Sequence, residues 1–510
     1  MGLACRGGTI GYDVMLLVGI LRYGLNWQLE EVRPVLHRSL GLPRLSLSTL
    51  SYLGLQFLVR WQLFCEERLL QLAPRLRPYL LQIDCTQEDG GPATAVARDA
   101  RTQVILLARQ KVSENEKALT QFTSEVDRRY GLPAQICRDM GVALKAACTV
   151  AWPTVRQRVD PYHFLANGGK ITLKESHEGL KHGLTGDEGL AKLLEWARKL
   201  PSRPRCSEEV VAVVARLMAE WIDEARRHAG SFPFHLAYAE VMERMEQTIA
   251  WLEEALHAQA RTLGLDLSAL GELKRRLEHL RGREAVRRHW ARLPILRWGW
   301  HEAREALHVA RDRRRRATSP VVMENDAEAA KRRIAEAGAK VRAAGEYEAG
   351  VWAKFEESLR EQETYLWGPS EAWMETEGGG STVELERVHH RGRSGIRART
   401  HQKSTGEEMG RVGAQLDMVQ NLTNRWFVVN GLTGVNLWEV FAGQSWEEIR
   451  EKLDGLGEEG ARERVPIGRK RARAALEAVM EILTQREEEL RERLEAWAGE
   501  QGLLEAAVGP

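Results

Sequence analysis

The chain has 510 residues, which at roughly 100–200 residues per domain allows two to four structural units and a large buried core. Apolar residues make up 43% and charged residues 29%, with 45 Gly and 16 Pro, a balance that excludes a wholly disordered or collagen-like chain. The 74 Lys plus Arg nearly cancel the 72 Asp plus Glu, so only the local distribution of charge can point to nucleic acid or membrane.

Six cysteines (Cys5, Cys65, Cys85, Cys137, Cys148 and Cys206) form no CxxC pair. That pattern argues against a structural zinc site or a secreted disulfide scaffold and fits a reducing cytoplasm. The apolar run Val14–Leu21 is too short to span a bilayer and lacks the pattern of a signal peptide, so no membrane is expected as a partner.

Residues 1–78 read as helical. Val14–Tyr23 is one apolar segment, and Gln28–Arg38 is a second, bent at Pro34. After a turn at Gly41–Pro43, Ser46 or Ser48 caps a third helix expected to reach about Arg60. Helix, short break and capped helix outline a helix-turn-helix that would offer Ser48, Thr49, Ser51 and Tyr52 to a DNA groove. An ordinary helical hairpin fits the same residues. The sequence begins abruptly near a helix, which leaves room for a longer DNA-binding head before it.

From residue 79 to 185 the pattern changes to α/β. Tyr79–Cys85, Ala93–Arg98 and Gln103–Arg109 read as neighbouring strands. Asn115–Tyr130 has helical spacing, Ala134–Cys137 is a fourth strand, Val142–Ala151 a helix and Val155–Val159 a fifth strand, together a mixed sheet. Residues 186–365 are dominated by long helices at Glu209–His228, Phe234–Ala258, Gly271–His289 and Asn325–Arg360, with Pro294 among the expected breaks. The Arg313–Arg316 run reads as part of another break. Residues 366–456 open on a hinge at Gly368–Gly380, continue through a short helix at Ser381–His390, and carry a basic stretch to Arg411. Residues 457–510 end in a charged helix, Lys470–Glu500, which fits a solvated helix, a DNA-facing arm or a partner helix.

Asp84 ends the first strand and Asp139 follows the fourth. In an open sheet, ligands gather near the carboxyl ends of strands. Two carboxylates brought together there repel each other, and divalent cations relieve that repulsion. Such a pair suits phosphoryl transfer with two ions about 3.5–4 Å apart.

Leu81-Gln82-Ile83-Asp84-Cys85-Thr86 resembles the first catalytic strand of DDE transposases from bacterial insertion sequences, and Cys137-Arg138-Asp139-Met140-Gly141 resembles their second acidic motif. Asp160-Pro161-Tyr162-His163-Phe164, followed by Gly168-Gly169-Lys170, is similar to the segment that follows it. The resemblance implies an α/β fold: an RNase H-like mixed-sheet core with a helical N-terminal region and a large all-helical insertion over 186–365. It covers 79–170 closely, under a fifth of the chain.

The resemblance implies a third acid far downstream. Ser381-Thr382-Val383-Glu384-Leu385-Glu386-Arg387 is the best match, with Glu386 as the candidate and Glu384, Glu377 and the Glu407–Glu408 pair as competitors. The Asn pair that often precedes that Glu in the family is Thr382-Val383 here. Asp84, Asp139 and Glu386 would then hold Mg²⁺, with Mn²⁺ able to substitute, for strand cleavage by water and joining by a DNA 3′-hydroxyl. His163 would support the site or touch a phosphate, and a packed core residue beside Tyr162 and Phe164 fits it as well. The expected partners are double-stranded DNA bearing the element's terminal repeats, target DNA, and further copies of the chain in a homo-oligomer.

Arg387, Arg391, Arg393, Arg397, Arg399 and Lys403 lie in a stretch free of acids from Arg387 through Thr405, read as a flexible DNA-binding loop. A solvated linker is the bland alternative. Competing functions are a transposase-derived DNA-binding protein without catalysis, a metal-dependent nuclease without strand transfer, and a helical scaffold whose Asp residues are structural.

Overall fold

The computed structural model describes residues 11–39, 45–86, 93–186, 189–206, 209–227, 232–259, 266–307, 327–366, 383–401 and 404–457. The Arg313–Arg316 run, the Gly368–Gly380 hinge, Lys403 and the Lys470–Glu500 helix lie outside them. The chain divides into two units: residues up to Asp160 together with those from Pro369 onward, and residues Pro161–Gly368.

The first unit opens with α1 (Tyr12–Gly19), α2 (Leu29–Pro34) and α3 (Leu47–Leu76). Each of α1 and α2 runs on into a π turn, the second one directly after Pro34. Ser46 caps α3 by accepting the Thr49 amide at 3.0 Å. The helix passes the expected end at Arg60 because Phe57, Leu58, Trp61, Phe64, Cys65 and Leu69 continue its buried stripe. At 30 residues it is about 45 Å long and forms the spine of the unit.

Five strands follow: β1 (Leu80–Thr86), β2 (Ala93–Asp99), β3 (Ile105–Val112), β4 (Gln135–Arg138) and β5 (Gln157–Val159). Helix α4 (Glu116–Tyr130) precedes β4, and α5 (Val142–Ala151) joins β4 to β5. The sheet order is β3-β2-β1-β4-β5. β1–β2 and β2–β3 are antiparallel, whereas β1–β4 and β4–β5 are parallel. The mixed α/β sheet expected from the sequence is therefore present, with each strand close to its expected place.

The second unit is helical: α6 (Pro161–Thr185), α7 (Leu190–Lys199), α8 (Glu209–Glu224), α9 (Ala237–Gln259), α10 (Ser268–Gly282), α11 (Glu284–Ala306), α12 (Ala327–Ala344) and α13 (Glu346–Leu366). Helix α6, placed by the sequence with the sheet segment, belongs here by its packing. Its Gly179 and Gly183 allow close approach to His289 and Val286 of α11, and Trp300 of α11 donates its indole N–H to the Leu165 carbonyl at 3.0 Å. Two expected single helices are pairs, broken at Arg283 and at Gly345. Pro294, expected to end a helix, lies inside α11, where buried Val286, His289, Leu293, Leu296 and Trp300 hold the stripe together on both sides of it. That packing offsets an interior proline's cost of about 3 kcal/mol.

The chain returns to the first unit with α14 (Val383–Thr400) and α15 (Gly406–Val419). The basic stretch is thus helical rather than a flexible loop. Leu385, Val388, His389, Gly392, Ile396 and Arg399 form a buried stripe at helical spacing, which fixes the segment as a helix despite its charge. Asn421, just past α15, clamps β3: its Oδ1 accepts the Ile105 N–H at 2.9 Å and its Nδ2 donates to the Ile105 carbonyl at 2.8 Å. Trp61 of α3 donates to the Met418 carbonyl at 2.9 Å, so α15 is tied to both the spine and the sheet.

Candidate active site

β1 lies where the sheet changes from antiparallel to parallel pairing. Its register with β4 runs from Leu80 opposite Gln135 to Ile83 opposite Arg138. Asp84 and Asp139 are each the next residue, so they stand level at the carboxyl ends of strands spaced about 4.8 Å apart. β4 and β5 pair up to Arg138 opposite Val159, which brings Asp160 level as well. Three acids therefore line up along the carboxyl edge of three adjacent parallel strands. Asp84 is 6% exposed, Asp139 is half-buried and Asp160 is fully buried.

Local hydrogen bonds orient the first two. Asp84 Oδ1 accepts the Cys85 N–H at 2.9 Å, and Asp139 Oδ1 accepts the Gly141 N–H at 2.9 Å. A Cβ on residue 141 would lie 3.0 Å from Asp139 Oδ1, so glycine leaves the carboxylate its room. Burial pushes the Cys85 thiol well up, and Asp84 and Asp139 both push it further. The carboxylate oxygens of Asp84 and Asp139 are hard donors at this edge of the sheet.

Helix α14 runs along the face of β1 that carries Gln82, Asp84 and Thr86. Arg393 Nη2 donates to Thr86 Oγ1 at 2.9 Å. One helical turn before Arg393 comes His389, just as Asp84 comes one pleat before Thr86. His389 is 1% exposed, and its Nδ1 lies 3.3 Å from Oδ2 of the fully buried Asp417 on α15. Burial disfavours the charged ring, but Asp417 first and Asp84 after it outweigh burial, and the pKa of His389 is raised.

On β2, Arg98 pairs across from Gln82 and donates to its Oε1 at 3.4 Å and to the Gln103 carbonyl at 3.3 Å. Burial and then the charge of Arg391 lower its pKa to about 10, so it remains charged at neutral pH.

The other expected residues divide. Glu386 belongs to the first turn of α14, and at helical spacing its position shares a face with 389 and 393; its side chain and that of Glu384 lie outside the described residues, as does all of Glu377. Glu407 is exposed and Glu408 half-buried at the start of α15. Among the described residues, no group of three His, Cys, Asp or Glu side chains is assembled to hold a metal ion. Arg391 and Arg397 are exposed, and Arg387 and Arg393 are half-buried. Arg399 is buried: it donates to Asn26 Oδ1 at 2.8 Å and lies 4.9 Å from the Tyr23 ring centre.

At the start of α3, the Ser48 and Thr49 hydroxyls each lie 2.8 Å from Ser46 Oγ, within the helix cap. Ser48 is exposed, whereas Ser51 and Tyr52 are half-buried. His163 belongs to the helical unit, half-buried on α6 with its ring edge-on to Tyr162.

His389, Asp417 and Arg98 were not singled out from the sequence. Asp417 carried the clearest available signal, a lone acid in the apolar run Ala414-Gln415-Leu416-Asp417-Met418-Val419. No helix among the described residues is long and apolar enough to cross a membrane. No protein-family model matches the chain, and no curated protein matches it.

Proposed function

We propose that the chain is a DNA transposase of the DDE kind, with an RNase H-like catalytic core interrupted by the helical unit. The observation that carries this reading is the level placement of Asp84 and Asp139 on adjacent parallel strands at the point where the sheet changes direction. Two carboxylates as donors suit a hard cation such as Mg²⁺ or Mn²⁺.

Asp84 and Asp139 would hold the ions, with Glu386 completing the set from α14. Bound there, the ions supply charge stabilisation for the attacking and leaving oxygens of an in-line phosphoryl transfer. The protein's own part is positioning. The Cys85 and Gly141 amides fix the carboxylates, and Arg393 holds α14 against β1 through Thr86. The exposed guanidinium groups of Arg391 and Arg397 would bind phosphates and set the position of DNA without reading its bases. The partners on this reading are the element's own ends and target DNA, brought together by more than one copy of the chain in the cytoplasm.

The test is incubation of the protein with DNA carrying the native element ends and Mg²⁺ or Mn²⁺. Wild type should give cleaved and joined products, and Asp139→Asn should give neither. Cleavage without joining would make it a nuclease, and binding without cleavage a non-catalytic DNA-binding protein.

A further inference from the structure

Arg98 is 5% exposed, yet it makes no ion pair among the described residues. Buried charges are ordinarily paired, because leaving water costs several kcal/mol. Among the described residues Asp99 is the acid that acts on it, and Asp99 is otherwise occupied. Its Oδ1 accepts the Leu80 N–H at 2.9 Å and the Arg101 N–H at 3.3 Å, and its Oδ2 accepts the Thr102 N–H at 3.0 Å and the Thr102 hydroxyl at 2.7 Å. The other charges felt by Arg98 are like charges, Arg391 and Arg387 of α14. Arg391 is exposed and also makes no ion pair among the described residues. A buried guanidinium that feels an exposed one on the helix packed beside its sheet, with no ion pair to either among the described residues, is an arrangement that an incoming anion stabilises.

The position adds chemistry. Arg98 stands opposite Gln82, on the same sheet face as Asp84 and one pleat before it. We propose that Arg98 and Arg391 form a seat for one phosphodiester oxyanion of the DNA strand, beside the phosphate on which the carboxylates act. Arg98 supplies fixed donors from the floor, and Arg391 closes over the anion from the helix. The seat deepens the transposase reading, because it makes β2 part of the DNA-binding surface.

The test reads binding without divalent metal, so it does not depend on catalysis. Two probes are used on the full-length protein: a DNA duplex titrated over several salt concentrations, and inorganic sulfate compared with chloride at equal ionic strength in thermal unfolding. The variants are Arg391→Ala, whose side chain is exposed, and Arg98→Lys, which keeps the charge but loses the fork. Arg391→Ala should weaken duplex binding by about tenfold or more and flatten the salt slope by about 0.9. It should also lose part of the sulfate stabilisation, and Arg98→Lys should bind DNA more weakly than wild type with an unchanged slope. If wild type binds sulfate through these arginines but binds no DNA, the anion seat stands and the transposase reading falls. If Arg391→Ala matches wild type with both probes, the seat is refuted whether or not the protein cuts DNA.

Discussion

His389 Nδ1 lies 3.3 Å from Asp417 Oδ2, and both side chains are sealed from solvent, at 1% and 0% exposure. The contact has ion-pair distance, and His389 is the one ion-pair partner of Asp417 among the described residues. A buried pair of this kind is costly to break from one side, because the remaining charge has nowhere to go. Asp417→Ala should therefore destabilise the first unit by about 3 kcal/mol or more, and Asp417→Asn by less, since the amide keeps the volume and sets a polar oxygen beside the ring. Urea unfolding of the two variants measures the difference.

Glu66 of α3 joins Arg109 of β3 at 2.6 Å and Arg129 of α4 at 3.0 Å, and Glu125 joins the same two arginines. Burial opposes ionisation of Glu66, but Arg109 and then Arg129 outweigh it and the pKa falls below 4.5. A depressed carboxylate contributes stability that is present above its unfolded pKa and disappears as pH falls through the folded value. Wild type should thus lose stability below about pH 4.5, and Glu66→Gln should show a shallower loss over that window while being about 3 kcal/mol less stable at pH 7. Thermal unfolding from pH 7 to pH 3 reads both.

Asn421 satisfies both backbone groups of Ile105, and it is fully buried. Asn421→Ala leaves a buried N–H and carbonyl unpaired and should cost about 2–4 kcal/mol. Hydrogen exchange should quicken most at Ile105 and its neighbours on β3. Uniform quickening across the sheet would argue against a local clamp.

Gly141→Ala acts on the site with little effect on the fold. Its new Cβ would stand 3.0 Å from Asp139 Oδ1, so the carboxylate must give way by a few tenths of an ångström. Metal-dependent cleavage should fall by about tenfold, scaled down from the roughly hundredfold cost of an ångström's misplacement. The thermal midpoint should stay near wild type, and cleavage assays beside a melting curve separate the two effects.

The sheet was legible because each strand is a short apolar run between turn residues, and Asp84 and Asp139 stood out as acids at strand ends. Their level placement was not legible, because it depends on β1 pairing with β4 across the intervening hairpin and helix. The same holds for His389 and Asp417, which lie 28 positions apart and meet only through the packing of α14 on α15. The basic stretch misled for a local reason. Its charge and glycines suggested a loop, while the stripe Leu385, Val388, Ile396 and the buried Arg399 made it a helix. Long helices were easy to find, but their breaks were not, since Pro294 is tolerated by packing whereas Gly345 ends a helix that charge pattern would continue.

The most direct test of the central claim is Mn²⁺ binding to the full-length protein, followed by electron paramagnetic resonance of the free ion, for wild type, Asp84→Asn and Asp139→Asn. If the level carboxylates form one metal site, wild type should take up Mn²⁺ and each single substitution should weaken that uptake by about tenfold or more. Equal uptake by all three proteins, or none by wild type, would contradict a shared metal centre at Asp84 and Asp139.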